Sequence, residues 1–146
     1  MKPLDPFYID LEKTTLIEAS AGTGKTYTIA TLYCRLVAKG YALESILVVT
    51  FTEAAAAELK LRIRHRLFET LESLQNPSLD NKDNLIDFFK QKQDLPKICQ
   101  RLKLALFCFD QAAIMTIHSF CLKVLKENAF ESQSLFDIEL VPDRSL

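Results

Sequence analysis

The sequence predicts an α/β fold: a parallel sheet flanked by helices. Three observations predict it. Residues 15–18 (Thr-Leu-Ile-Glu) enter a small-residue loop, Ala19-Ser-Ala-Gly-Thr-Gly-Lys-Thr26, and the loop opens an apolar-periodic segment. Ile46-Leu-Val-Val49 is a continuous apolar run, and a helical pattern follows it. Residues 112–115 are short and apolar, and Thr116-Ile117-His118 leads from them into another helical pattern. Strands that alternate with helices belong in a parallel sheet with helical crossovers.

The first element, 15–18, reads as a buried-type strand. The loop after it has the form of a phosphate-binding loop, with Ala19 where the common pattern has glycine. Gly22 and Gly24 open backbone angles closed to other residues and let the main chain approach an anion. Loop and first-turn N–H groups point at that anion, and the helix dipole adds positive charge. In this frame Ala19, Ser20, Ala21, Gly22, Thr23, Gly24, Lys25 and Thr26 would wrap a nucleotide's phosphates. Lys25 would reach the β/γ-phosphates, and the Thr26 hydroxyl would ligate Mg²⁺. Residues 25–39 form the helix, with Ile29, Leu32, Tyr33, Leu36 and Val37 on one face and Gly40 as its stop.

The second strand, 46–49, has the composition of a parallel strand buried on both faces. Thr52 is the expected N-cap of the helix after it, and Glu53 complements the dipole. Ala56, Leu59, Ile63, Leu67 and Leu74 make one stripe, with Leu61 and Phe68 nearly opposite, which predicts a helix sandwiched between layers. Lys60, Arg62, Arg64, His65 and Arg66 flank the stripes, as a solvated face or as phosphate contacts.

Residues 76–84 are polar and turn-rich, a loop within one domain. A short helix at 85–89 follows, and Pro96 opens another with Ile98, Leu102, Ala105 and Phe109 on one face. Residues 75–110 therefore form a helical insertion. The last helix carries Phe120, Cys121, Val124 and Leu125, and 136–141 reads as a further strand. The lead-in, 1–14, is expected to pack Phe7, Tyr8 and Ile9 on the domain.

Composition bounds the answer. The 146 residues suit one domain, by a size prior of roughly 100–200 residues. At 49% hydrophobic and 25% charged, the chain can fill a core and is not disordered. Net charge is −1, which excludes a global basic field and leaves nucleic-acid binding to local patches. Cys34, Cys99, Cys108 and Cys121 form no C-x-x-C pair, which argues against zinc and for buried reduced thiols in a cytoplasmic protein. No apolar run approaches the ~18 residues of a membrane span, and the N-terminus has no signal-type core.

Three stretches, 16–30, 47–60 and 116–121, resemble motifs I, Ia and Ic of the UvrD-like superfamily-1 helicases, in the family's order. The Glu-Ala-Ser-Ala-Gly-Thr-Gly-Lys-Thr run at 18–26 and Asn128-Ala-Phe-Glu-Ser132 resemble the exodeoxyribonuclease V branch. The resemblance implies a P-loop NTPase with a RecA-like sheet, here the incomplete N-terminal part of motor domain 1A. It implies ATP and Mg²⁺ as cofactors, with Lys25 and Thr26 in the catalytic roles. It also implies single-stranded DNA contacts by Thr50, Phe51, Thr52, Thr116 and His118. His118 reads as well as a capped or core residue.

A helicase and exonuclease working 3′ to 5′ on double-strand ends is the activity implied, with RecC and RecD as partner subunits. Several family features are missing. No glutamine precedes Gln75 to read adenine, and no Asp-Glu pair exists to supply Walker B carboxylates. The 146 residues alone are thus expected to bind nucleotide poorly and to turn it over hardly at all. The rivals are another P-loop phosphotransferase and a non-hydrolysing nucleotide- or DNA-binding module.

Overall fold

In the computed structural model, the described residues are 5–18, 20, 22, 24–76, 83–92 and 94–128. The elements run α1 (Lys25–Lys39), β1 (Val48–Thr50), α2 (Glu53–Gln75), α3 (Asn84–Lys90), α4 (Leu95–Phe107), β2 (Ile114–Thr116) and α5 (Ile117–Glu127). Single 3-10 turns at Leu43–Ser45 and Phe109–Gln111 lead into the two strands. β1 and β2 pair in parallel, with Val48 opposite Ile114, Val49 opposite Met115 and Thr50 opposite Thr116. The parallel α/β arrangement holds, as a two-stranded sheet among the described residues.

Local chemistry sets the helix ends. α1 stops at Gly40, whose φ of 109° lies in the left-handed region. Its N–H donates to Val37 O at 2.9 Å, and Tyr41 N–H donates to Leu36 O at 3.2 Å, closing a Schellman motif. A Cβ at Gly40 would also meet the Arg101 guanidinium at 2.9 Å. The Thr52 hydroxyl caps α2 by accepting from Ala55 N–H at 3.1 Å. Asp83 caps α3, and Pro96 stands in the first turn of α4.

The core lies between α1, α2, α3 and α4. Tyr33, Cys34, Ile63, Leu67, Leu85, Ile86 and Leu102 are fully buried there. Every member of the main α2 stripe is buried, as are Ile98, Leu102, Ala105 and Phe109. On α1 the buried face differs from the expected stripe. Ala30, Cys34 and Ala38 join Tyr33 and Val37 inside, while Ile29 is exposed. Small side chains let neighbouring helices approach closely, so packing density outweighs the size of single apolar residues.

Four further expectations are corrected. Residues 15–18 form no strand, and Leu16 is 84% exposed. The ladder among the described residues joins β1 only to β2, and no strand pairing reaches 15–18. β1 is not buried on both faces. Ile46 points inward and Val48 is half-buried, whereas Leu47 and Val49 are exposed. α2 is not sandwiched, because Leu61 and Phe68 are 70% and 54% exposed, respectively. Cys121 is exposed, on a helix whose residues are all at least partly exposed; Cys34 alone of the four thiols is fully buried.

The lead-in is strapped to α1. Arg35 donates to Pro6 O at 2.5 Å and to Ile9 O at 3.0 Å, and Lys39 pairs with Glu12 at 2.5 Å. Phe7 packs on Phe88, with ring centroids 5.9 Å apart, but Tyr8 stays exposed. The candidate strand at 136–141 lies outside the described residues.

Candidate nucleotide and nucleic-acid site

The candidate phosphate loop leads into the start of α1. Ala19, Ala21 and Thr23 lie outside the described residues. Gly22 and Gly24 have φ of 79° and 84°, the left-handed conformation that the motif requires of glycine. A Cβ on either would find nothing within 4 Å, so open space adjoins the backbone at both positions. Ser20 is exposed, and Lys25 Nζ donates to Ser20 O at 2.7 Å, which holds the ammonium against the loop.

Gly24 occupies the N-cap position without a side chain, and the first turn of α1 contains no acid. The helix start is therefore electropositive, with no carboxylate of its own to neutralise it. Thr26 is half-buried beside it. Left-handed glycines, an ammonium, a hydroxyl and an uncapped helix start make a donor set that fits a triphosphate with Mg²⁺. No group of three or more metal-ligating side chains occurs among the described residues, so a cation here would depend on the nucleotide's oxygens.

Beside this helix start, between α1 and α2, lies an open cavity of about 560 Å³. Thr26, Tyr27, Arg62, His65 and Arg66 are among the residues lining it. Arg62 pairs with Glu58 and His65 with Glu69 along α2, at 2.7 and 3.1 Å. These members of the basic run are thus on a solvated face. Arg66 is buried and pairs with Asp83.

The second part of the site is the sheet edge. Thr50 and Thr116 are ladder partners at the C-terminal ends of parallel strands, so the segments 50–52 and 116–118 emerge side by side. Phe51 is 86% exposed there, and His118 and Thr52 are also exposed. Thr116 differs. It is 3% exposed, and its hydroxyl accepts from Ser119 N–H at 3.1 Å, capping α5. That hydroxyl also donates to Glu53 Oε1 at 2.9 Å, and Ser119 Oγ donates to the same oxygen at 3.1 Å. The Thr116 hydroxyl, expected to face a DNA strand, is thus enclosed and bonded within the protein.

Glu53 and Ser119 are the residues that sequence reasoning missed. Glu53 joins the starts of α2 and α5 through one carboxylate oxygen. Their signal was available only in part. Ser119 stands three residues after the cap, and Glu53 was legible as a first-turn acid, but nothing local links positions 53 and 116.

The UvrD/REP helicase N-terminal domain family matches residues 6–144. RecBCD enzyme subunit RecB of Escherichia coli is 44% identical over 154 residues, covering 98% of this chain and 13% of that protein. RecB of Haemophilus influenzae is 42% identical over 157 residues, with the same coverage of both chains. RecB of Mycolicibacterium smegmatis is 41% identical over 129 residues, covering 88% and 12%. The chain spans about an eighth of the length of these relatives. With three ordered motifs and a match across nearly all of its length, the chain belongs to the UvrD/REP helicase N-terminal domain family.

Proposed function

We propose that this chain is the nucleotide- and DNA-binding part of an ATP-dependent DNA helicase of the RecB type. Within that reading it is the N-terminal part of a RecA-like motor domain, with 75–110 as a helical insertion. The parent enzyme unwinds and degrades DNA from double-strand ends with RecC and RecD, in the cytoplasm. No helix among the described residues is long and apolar enough to cross a membrane.

One observation supports this reading best. A loop with two left-handed glycines and a tethered lysine opens α1, in a chain whose Thr50–Thr116 register sets two motif segments on one sheet edge. Bound ATP, with its Mg²⁺, supplies the hydrolysable phosphoanhydride. Lys25 holds positive charge where the phosphoryl oxygens gain negative charge. The Thr26 hydroxyl would offer one oxygen ligand to the cation. Main-chain N–H groups of the loop orient the phosphates.

At the sheet edge, Phe51 offers a ring on which a base can stack, and Thr50, Thr52 and His118 offer polar contacts to the strand. Thr116, through Glu53 and Ser119, holds the two segments together.

The test is ATP hydrolysis by the intact protein with and without single-stranded DNA. Hydrolysis is expected to rise with DNA and to vanish in Lys25→Ala together with nucleotide binding. An ATPase indifferent to DNA, or nucleotide affinity unchanged in that variant, would sink the assignment.

A further inference from the structure

We propose that Arg66 is a positioning residue for the phosphate loop, acting through Tyr27 to set the rotation of the first turn of α1. The proposal rests on the nucleotide-binding reading above. Arg66 lies in the middle of α2, and Tyr27 directly follows Thr26. Arg66 Nη1 and Nη2 grip the two carboxylate oxygens of Asp83. Nη2 also donates to the Tyr27 hydroxyl at 3.1 Å, and the guanidinium carbon stands 4.8 Å from the Tyr27 ring centroid.

Asp83 is itself fixed, because its Oδ1 accepts from Leu85 N–H at 2.9 Å and so caps α3. The Arg66 guanidinium is therefore held from α3 and reaches α1. Its planar fork pairs bidentately with Asp83 while Nη2 also reaches Tyr27, a geometry that a lysine ammonium does not reproduce.

The first turn needs such a hold. Gly24 gives α1 no capping side chain, so the hold on the helix start comes from elsewhere, from the Lys25 tether to Ser20 O on the loop side and from Tyr27 on the α2 side. Each residue on a helix is turned about 100° from the last. Tyr27 held against Arg66 thus sets the rotation at which the turn presents Thr26, alongside the Lys25 tether to Ser20 O. The arrangement is not the cheapest way to fill this space. Arg66 Nε is buried without a hydrogen-bond partner, a desolvation cost that an apolar side chain would not carry.

Tyr27→Phe tests the proposal, because it deletes one hydroxyl and leaves the Arg66–Asp83 pair intact. In the intact protein, binding of a fluorescent ATP analogue with Mg²⁺ should weaken by roughly three- to tenfold. Amide hydrogen exchange should quicken at residues 28–30 and stay unchanged at 34–38, while the melting temperature hardly moves. In an Arg66→Lys background the same substitution should add nothing.

Unchanged affinity in a protein that binds nucleotide overturns the proposal, and so does unchanged exchange at 28–30. Should the unmodified protein hold no nucleotide, the function proposed above falls. The exchange result then decides the Arg66 role by itself.

Discussion

Phe51 and Cys34 are both apolar in character, and their surroundings give them opposite chemistry. Phe51 stands 86% exposed just beyond β1. Burying that ring on a base would recover apolar area, so its exposure suits a ligand surface. Phe51→Ala is expected to weaken binding of single-stranded DNA to the intact protein by ~1–3 kcal/mol without loss of stability. A fluorescence-anisotropy titration checks this, and an unchanged Kd would remove Phe51 from the DNA surface.

Cys34 has no exposed surface, and burial pushes its thiol up to about 12 despite the nearby Arg66 guanidinium. The thiolate is the reactive form, so Cys34 should resist iodoacetamide at neutral pH, while exposed Cys121 is alkylated. Mass spectrometry of the native protein separates the two. Prompt labelling of Cys34 would show that the α1–α2 packing opens readily.

At the scale of elements, the starts of α2 and α5 work as a pair. Each begins on a threonine whose hydroxyl accepts an N–H of its own first turn. Glu53 ties the two starts together by accepting from Thr116 and Ser119. Thr116→Val keeps the shape and removes the hydroxyl. It should cost about 1–2 kcal/mol in chemical denaturation, by loss of a cap and of a hydrogen bond to a charged group. Glu53→Ala combined with it should cost less than the sum of the two, since both remove the same bond. Strict additivity would mean that Glu53 does not couple the helices.

The whole molecule joins a well-packed helical core to a small sheet on which Val49 stays exposed. Two titratable groups sit in that core, on α1. Burial raises both the Tyr33 hydroxyl and the Cys34 thiol to about 12. Their unfolded values are near 10 and 9, so above pH 9 the unfolded chain loses protons that the folded chain keeps. The unfolded state then binds fewer protons, and the stability slope with pH is negative. Stability should therefore be full below pH 9 and decline between about 9 and 12. Urea midpoints across this range measure it, and Cys34→Ala should flatten the first part of the decline. An unaltered slope in that variant would mean that the thiol is accessible to water in the native state.

Much of this protein was legible before any coordinates. The bounds of α1, the stop at Gly40, the cap at Thr52 and the buried stripe of α2 depend on residues within one or two helical turns. Backbone sterics, capping and periodicity act at that range, so sequence alone determined them. The loop glycines belong here too, since a left-handed φ is a local demand. What the tertiary structure decided is which apolar surfaces find a partner. Leu61, Phe68, Leu47 and Val49 read as core residues and are exposed, because burial requires a second surface that local sequence cannot supply. The segment 15–18 has strand composition and no ladder, for the same reason. Glu53 with Thr116, and Arg66 with Asp83 and Tyr27, join positions far apart in the chain. Such pairs depend on how helices and strands stack, and no spacing along the chain records that.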